Sequence, residues 1–143
     1  MHMTEPPTST ELHAAVRVRL GAADADYAGD LVAGARVLEL FGDLATELSI
    51  RLDGNEGLLR AYADVEFLAP LLAGDFVEAR GRVVRTGATS RTCEFEAYKV
   101  IASRPEGGAG AAEVLATPVL VTRAVGTFVT APPRLGESRT RSG

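Results

Sequence analysis

Cysteine occurs once in this chain, as Cys93, so an intrachain disulfide is excluded. With no Cys or His at ligand spacing beside it, Cys93 reads as a core thiol in a strand rather than a nucleophile. Histidine is almost as scarce: His2 and His13 stand outside every motif described below, so no histidine base is expected and proton transfer falls to carboxylates. Without His and Cys at ligand spacing, scattered acidic residues do not make a metal site, and none is expected. No apolar run approaches the roughly 18 residues of a membrane-spanning helix, and the N-terminus has no basic stretch leading into an apolar one. A cytoplasmic chain without a membrane partner is expected. Positive charge does not dominate either. The 15 basic residues are outnumbered by 19 acidic ones, giving a formal charge of −4, and they are scattered, which argues against nucleic acid as a partner. There is no internal repeat.

What is present fits one α+β domain. A length of 143 residues with 46% hydrophobic content supports a single core, since domains cluster near roughly 100–150 residues. Leu31, Ala35, Leu38, Phe41, Ala45 and Leu48 recur at spacings of three and four, with Val37, Leu40 and Leu44 widening the stripe, which predicts a nearly surrounded helix over Leu31–Leu52. The rest reads as strands rich in Val, Thr and Phe at Leu58–Leu68, Asp75–Arg85, Arg91–Ser103 and Glu113–Val129. Gly74-Asp75, Gly87-Ala-Thr-Ser90 and Arg104–Gly110 punctuate them as turns. Residues 1–12, with Pro6 and Pro7, and residues 132–143, with Arg134, Arg139 and Arg141, read as flexible ends around a domain at 13–131.

The predicted helix carries a polar stripe as well. Arg36, Glu39, Asp43 and Glu47 are also three or four apart, so Asp43 and Glu47 project from one side a turn from each other. Two readings of the stripe stay open: a solvated face with a weak Arg36–Glu39 pair, or a pair of carboxylates available for proton transfer. Gly42 in mid-helix costs roughly 1 kcal/mol relative to alanine and implies a close neighbour, either a strand or an acyl chain. Ahead of the helix, Asp24 and Asp26 suit an Asx turn and Asp30 suits the helix N-cap.

Several pieces together carry a family resemblance. They are Asp24-Ala-x-Tyr27-x-Gly29-x-Leu-Val-x-Gly-Ala35, Leu-Phe-Gly-Asp43-x-Ala-Thr-Glu47, Asp53-Gly-Asn-Glu-Gly57, Val65-Glu-Phe-Leu-Ala-Pro70 and Thr89-Ser-Arg91. Over Val16 to about Ile101 the chain resembles the hot-dog acyl-thioester enzymes, and among them the 3-aminobutyryl-CoA ammonia-lyases. The resemblance implies the hot-dog fold, one long central helix wrapped by a long antiparallel sheet, assembled as a homodimer or larger homo-oligomer. It also implies reversible removal of ammonia from a short 3-aminoacyl thioester, giving the 2-enoyl thioester, or amine addition in the biosynthetic direction.

By the same resemblance Asp43 is the first candidate for the catalytic carboxylate and Glu47 the second, with Asp24 and Asp26 as rivals in the loop. A carboxylate beside apolar groups and another negative charge has a raised pKa and so becomes a usable base near neutral pH. Backbone N–H groups at the helix N-terminus, from Gly29 through Asp30 to Gly34, would stabilise the enolate oxygen. Tyr27 would donate to that oxygen or orient the amine, or else simply pack. Arg82, Thr89, Ser90 and Arg91 are candidates for holding coenzyme A or phosphopantetheine, which enters as part of the substrate rather than as a bound cofactor. The alternative for these arginines is cross-strand pairing with Glu78, Glu94 and Glu96. Leu38, Phe41, Phe67 and Leu68 would border an acyl pocket of about four carbons. The thioester carrier is free coenzyme A or an acyl carrier protein. Two other functions remain open: a thioesterase, suggested by the loop aspartates but lacking the His or Asn that accompanies them, and a non-catalytic acyl-thioester binding protein.

Overall fold

The computed structural model describes residues 12–130; the expected flexible ends and their arginines lie outside them except for Leu12, which packs against the core and whose carbonyl accepts from Val83 N–H. The elements are β1 (His13–Arg19), α1 (Ala35–Asp53), β2 (Leu58–Phe67), β3 (Phe76–Thr86), β4 (Ser90–Ser103) and β5 (Ala112–Val129). The strands form one sheet in the order β1-β3-β4-β5-β2, with every neighbouring pair antiparallel. The helix touches all five strands. This is the expected hot-dog arrangement. β1 is an addition to the strands read from the sequence: Ala14, Val16 and Val18 alternate with Arg17 and Arg19, and the strand pairs from His13↔Arg82 to Arg19↔Phe76.

Helix α1 buries Val37, Leu40, Phe41, Leu44, Ala45, Leu48 and Ser49. Full burial of one such large apolar side chain contributes about 1.5–3 kcal/mol, so this face fastens the helix to the sheet. Its C-terminus closes on Gly54, whose left-handed backbone (φ 68°) places its N–H on the carbonyl of Ile50. The centre of the core is aromatic. Phe95 stacks on Phe41 with centroids 5.0 Å apart and meets the edge of Tyr62 at 6.3 Å. The ring occupies space left by Gly81 on β3 and Gly126 on β5, where an added Cβ would stand 2.9 Å and 2.6 Å from it.

The helix begins later than the periodicity predicts, at Ala35 rather than Leu31. Leu31 and Val32 are extended instead, bridging to Leu72 and Ala25, and the Val32 N–H donates to the Leu71 carbonyl. Two apolar residues in extended backbone reach the same core as a helical turn would, so periodicity alone does not separate the two. Asp30 is therefore not the N-cap. It sits four residues ahead of Gly34, with φ at 62°, and its carbonyl accepts from Ala73 N–H. The position before the helix is Gly34, which offers no side-chain cap.

Candidate active site

The segment Tyr27–Ala33, a short 3-10 turn at Ala28–Asp30 followed by extended Leu31 and Val32, and the start of α1 face the end of β2 and the turn after it, leaving an apolar cavity of ≈ 520 Å³ between them. Tyr27, Leu31 and Gly34 line it on one side, Phe67, Leu68 and Pro70 on the other, and Thr122 also lines it. Gly34 is required by a close approach. A Cβ there would lie 2.6 Å from Cδ1 of Phe67, so the ring rests directly on the glycine. The N–H groups of Gly34 and Ala35 donate to no backbone acceptor among the described residues. Free donors at a helix N-terminus carry partial positive charge and suit a developing oxyanion. Tyr27, 59% exposed, stands at the mouth. Gly29 (φ 72°) and Asp30 form a left-handed turn upstream and do not line the cavity.

The carboxylates are not gathered at this cavity. Asp24 is committed locally: one oxygen accepts from Gly21 N–H at 2.8 Å and the other from Arg36 Nε at 2.9 Å. The Gly21 N–H above all holds its carboxyl below the usual aspartate range; burial opposes this, and Arg36 adds to the lowering. It anchors the loop to the helix and remains an anion. Asp26 is exposed and lines a separate polar depression with Asp24, Arg36 and Glu39. The Arg36–Glu39 pair exists at 3.4 Å. Glu47 is paired to Arg51 at 2.8 Å. Asp43 is exposed on the outward stripe of α1, nine residues beyond Gly34, or roughly 13 Å along the axis at 1.5 Å per residue.

The acyl-pocket residues divide. Phe67 and Leu68, half exposed, line the cavity. Phe41 does not: it is fully buried against Phe95. Leu38 packs against the core, while its carbonyl accepts from the Tyr62 hydroxyl at 2.7 Å. Nor is there an opening at Gly42, where an added Cβ would make ordinary contact with Leu59 at 3.9 Å.

Arg82 and Arg91 do not form one phosphate site, because alternation along the strands sends them to opposite faces. Arg82 is exposed and pairs across the strands with Glu94 at 2.5 Å, as the alternative reading had it. Arg91 points inward, buried, with Nη2 on Asp53 at 2.8 Å and Nη1 donating to the carbonyls of Gly87 and Ser90. It ties the β3–β4 turn to the end of α1. Thr89 is exposed in that turn, and its carbonyl accepts from Thr130 N–H. Ser90 closes the turn by accepting from Gly87 N–H at 2.7 Å. Among the described residues no three His, Cys, Asp or Glu side chains group as metal ligands, and no helix is long and apolar enough to cross a membrane.

A family model described as the thioesterase superfamily matches residues 29–101. A 3-aminobutyryl-CoA ammonia lyase of Acetoanaerobium sticklandii is 53% identical over 114 residues, 80% of this chain and 90% of that protein. The chain belongs to the thioesterase superfamily. Among solved structures, beta-alanyl-CoA:ammonia lyase from Clostridium propionicum superposes with a TM-score of 0.81 at 36% identity, covering 85% of this chain and 87% of that one. A hexameric hotdog fold thioesterase of Campylobacter jejuni superposes at 0.68 with 18% identity, covering 83% of each chain. That last likeness speaks for the shared hot-dog fold alone.

Sequence reasoning passed over Thr122 and the tie between Asp24 and Arg36. The first was legible as a lone hydroxyl in the inward row Thr122, Ala124, Gly126, Phe128. The second joins a loop to a helix twelve positions on, and no local pattern signals it.

Proposed function

We propose that this protein is an ammonia-lyase that removes ammonia from a short 3-aminoacyl-CoA to give the 2-enoyl-CoA, and adds ammonia in reverse. The observation that carries the reading is likeness over 80% and 85% of this chain to two proteins named as ammonia lyases of aminoacyl-CoA substrates. An apolar cavity edged by unpaired N–H groups suits the chemistry, because the proton alpha to a thioester carbonyl is too weakly acidic for a carboxylate unless the enolate oxygen is stabilised. In elimination the carboxylate takes the C2 proton, the C–H pair becomes the C2=C3 bond, and the C3–N bond breaks with its electrons on departing ammonia.

Asp43 is the proposed base, acting in the cavity of a second copy of the chain. Its separation of roughly 13 Å from Gly34 on the same helix is too great for the two to serve adjacent atoms of one substrate. A homodimer supplies the missing partner. The edge of β2, unpaired among the described residues, with exposed Leu58 and Phe67, and exposed Ile50 on the outward side of α1 are surfaces that such pairing would cover. A coenzyme A thioester suits a cytoplasmic enzyme, and a phosphopantetheinyl carrier protein would present the same thioester.

The test is Asp43→Asn in the assembled protein, assayed with crotonyl-CoA and ammonia. A fall of about 10²–10⁴ in rate with an unchanged melting temperature is expected for loss of a general base. A loss below about tenfold would shift the role to Asp26 or Glu47.

A further inference from the structure

Thr122 is the one buried polar side chain that lines the apolar cavity. It is 2% exposed, in register with Phe67 on β2 and Ala97 on β4, and it begins the inward row completed by Ala124, Gly126 and Phe128. Among the described residues its hydroxyl takes part in no hydrogen bond, and it is not sealed away as the Nε of Arg91 is. A hydroxyl held without a partner beside a cavity is a place for a ligand's polar group. The other polar side chain of the lining, Tyr27, is largely exposed at the mouth.

A 3-aminoacyl thioester brings two polar groups into such a cavity. Its carbonyl oxygen is an acceptor and matches the free N–H groups of Gly34 and Ala35. Its 3-ammonium is a donor, and the chain's own lining includes no carboxylate to receive it, the Asp43 carboxylate of a second copy being assigned to the C2 proton. We propose that Thr122 is the amine-binding residue, its Oγ1 accepting a hydrogen bond from the 3-ammonium group of the substrate and, in the reverse direction, from ammonia. This assignment rests on the ammonia-lyase reading and deepens it. In the addition, an N–H held by Oγ1 leaves the nitrogen lone pair free to face C3. The new C3–N bond then forms, the C2=C3 pair moves onto the thioester enolate, and C2 takes a proton from the carboxylic acid.

The experiment compares wild type, Thr122→Val and Thr122→Ser as assembled proteins. Three readouts are taken: KM for ammonia with crotonyl-CoA, inhibition by butyryl-CoA, which lacks an amine, and melting temperature. Thr122→Val is expected to raise KM for ammonia about tenfold or more while butyryl-CoA inhibition stays within about twofold, and Thr122→Ser to return KM to within about threefold of wild type. An unchanged KM in the valine variant overturns the assignment. So does a loss of butyryl-CoA affinity as large as the loss for ammonia, which would mark a packing role. A wild-type protein that does not consume crotonyl-CoA with ammonia overturns the lyase reading and this assignment together. An active wild type with an indifferent valine variant overturns only the role of Thr122.

Discussion

Replacing Gly126 by alanine puts a methyl carbon 2.6 Å from Cε2 of Phe95 and 3.5 Å from Cδ1 of Leu59. Neither side has room to give way. Phe95 is 1% exposed, lies against Phe41 at 5.0 Å, and has Gly81 on its other flank, where an added Cβ would be 2.9 Å away. Alanine in a strand would otherwise gain about 0.5–1 kcal/mol over glycine. Overpacking a filled core costs about 1–3 kcal/mol, and a contact this short against an immobile ring belongs at the upper end. A net loss of about 2 kcal/mol is expected, which is a fall of roughly 4–8 °C in melting temperature for a chain of this size. Urea unfolding at fixed protein concentration measures it, since assembly makes stability concentration-dependent. Placing Phe95→Leu in the Gly126→Ala background removes the ring edge, so the two changes should couple rather than add. An alanine variant as stable as wild type, or a leucine substitution that costs the same in both backgrounds, would refute the packing argument.

Asp53→Asn should cost about 1–3 kcal/mol in urea unfolding, because it leaves the inward guanidinium of Arg91 without its charge partner. Arg104→Ala, at the exposed pair with Glu113, should cost under about 1 kcal/mol, and equal losses would contradict the burial argument. Hydrogen bonds from the Gly21 N–H and Arg36 hold Asp24, and those from Arg17 and Arg80 hold Glu78, below the usual carboxylate range. The unfolded chain therefore takes up these protons first, and their stabilisation, complete above about pH 5, is lost as pH falls through about 4 and below. Asp24→Asn and Glu78→Gln should each flatten stability measured from pH 6 to 3, and an unaltered slope would contradict this. Burial pushes the Cys93 thiol up to about 12, so it should resist a thiol reagent at pH 8 until the protein unfolds; prompt native reaction would show that the strand opens.

Strand positions were legible because β-branched residues, turn glycines and apolar runs mark them locally, and the helix because its apolar stripe repeats every three or four residues. β1 was harder to see: seven residues with two alanines together give a weak alternation that only pairing with β3 makes plain. The helix start was misread because Leu31 and Val32 continue the apolar rhythm in extended backbone. At the site, residue type suggested Asp24 as a base, but a Gly21 N–H and a distant Arg36 give it a structural partner on each oxygen. Phe41 was bulky and close in sequence to the catalytic candidate, yet Phe95 claims its face. Gly42 looked like the glycine with a reason, whereas close approaches fall at Gly34, Gly81 and Gly126, each against a ring from another strand, and at Gly57, against Ser49 and the Val129 carbonyl. Such partners are set by tertiary packing, which local spacing does not encode.

The central claim, that the chain exchanges ammonia at C3 of a short acyl thioester, is tested most directly by mixing the wild-type protein with crotonyl-CoA and an ammonium salt. Enoyl absorbance and free thiol are followed together. The account predicts that the enoyl signal falls, that 3-aminobutyryl-CoA appears by mass, and that no thiol is released. Thiol released in step with substrate loss would mark a thioesterase instead, and an unchanged enoyl signal would contradict catalysis altogether.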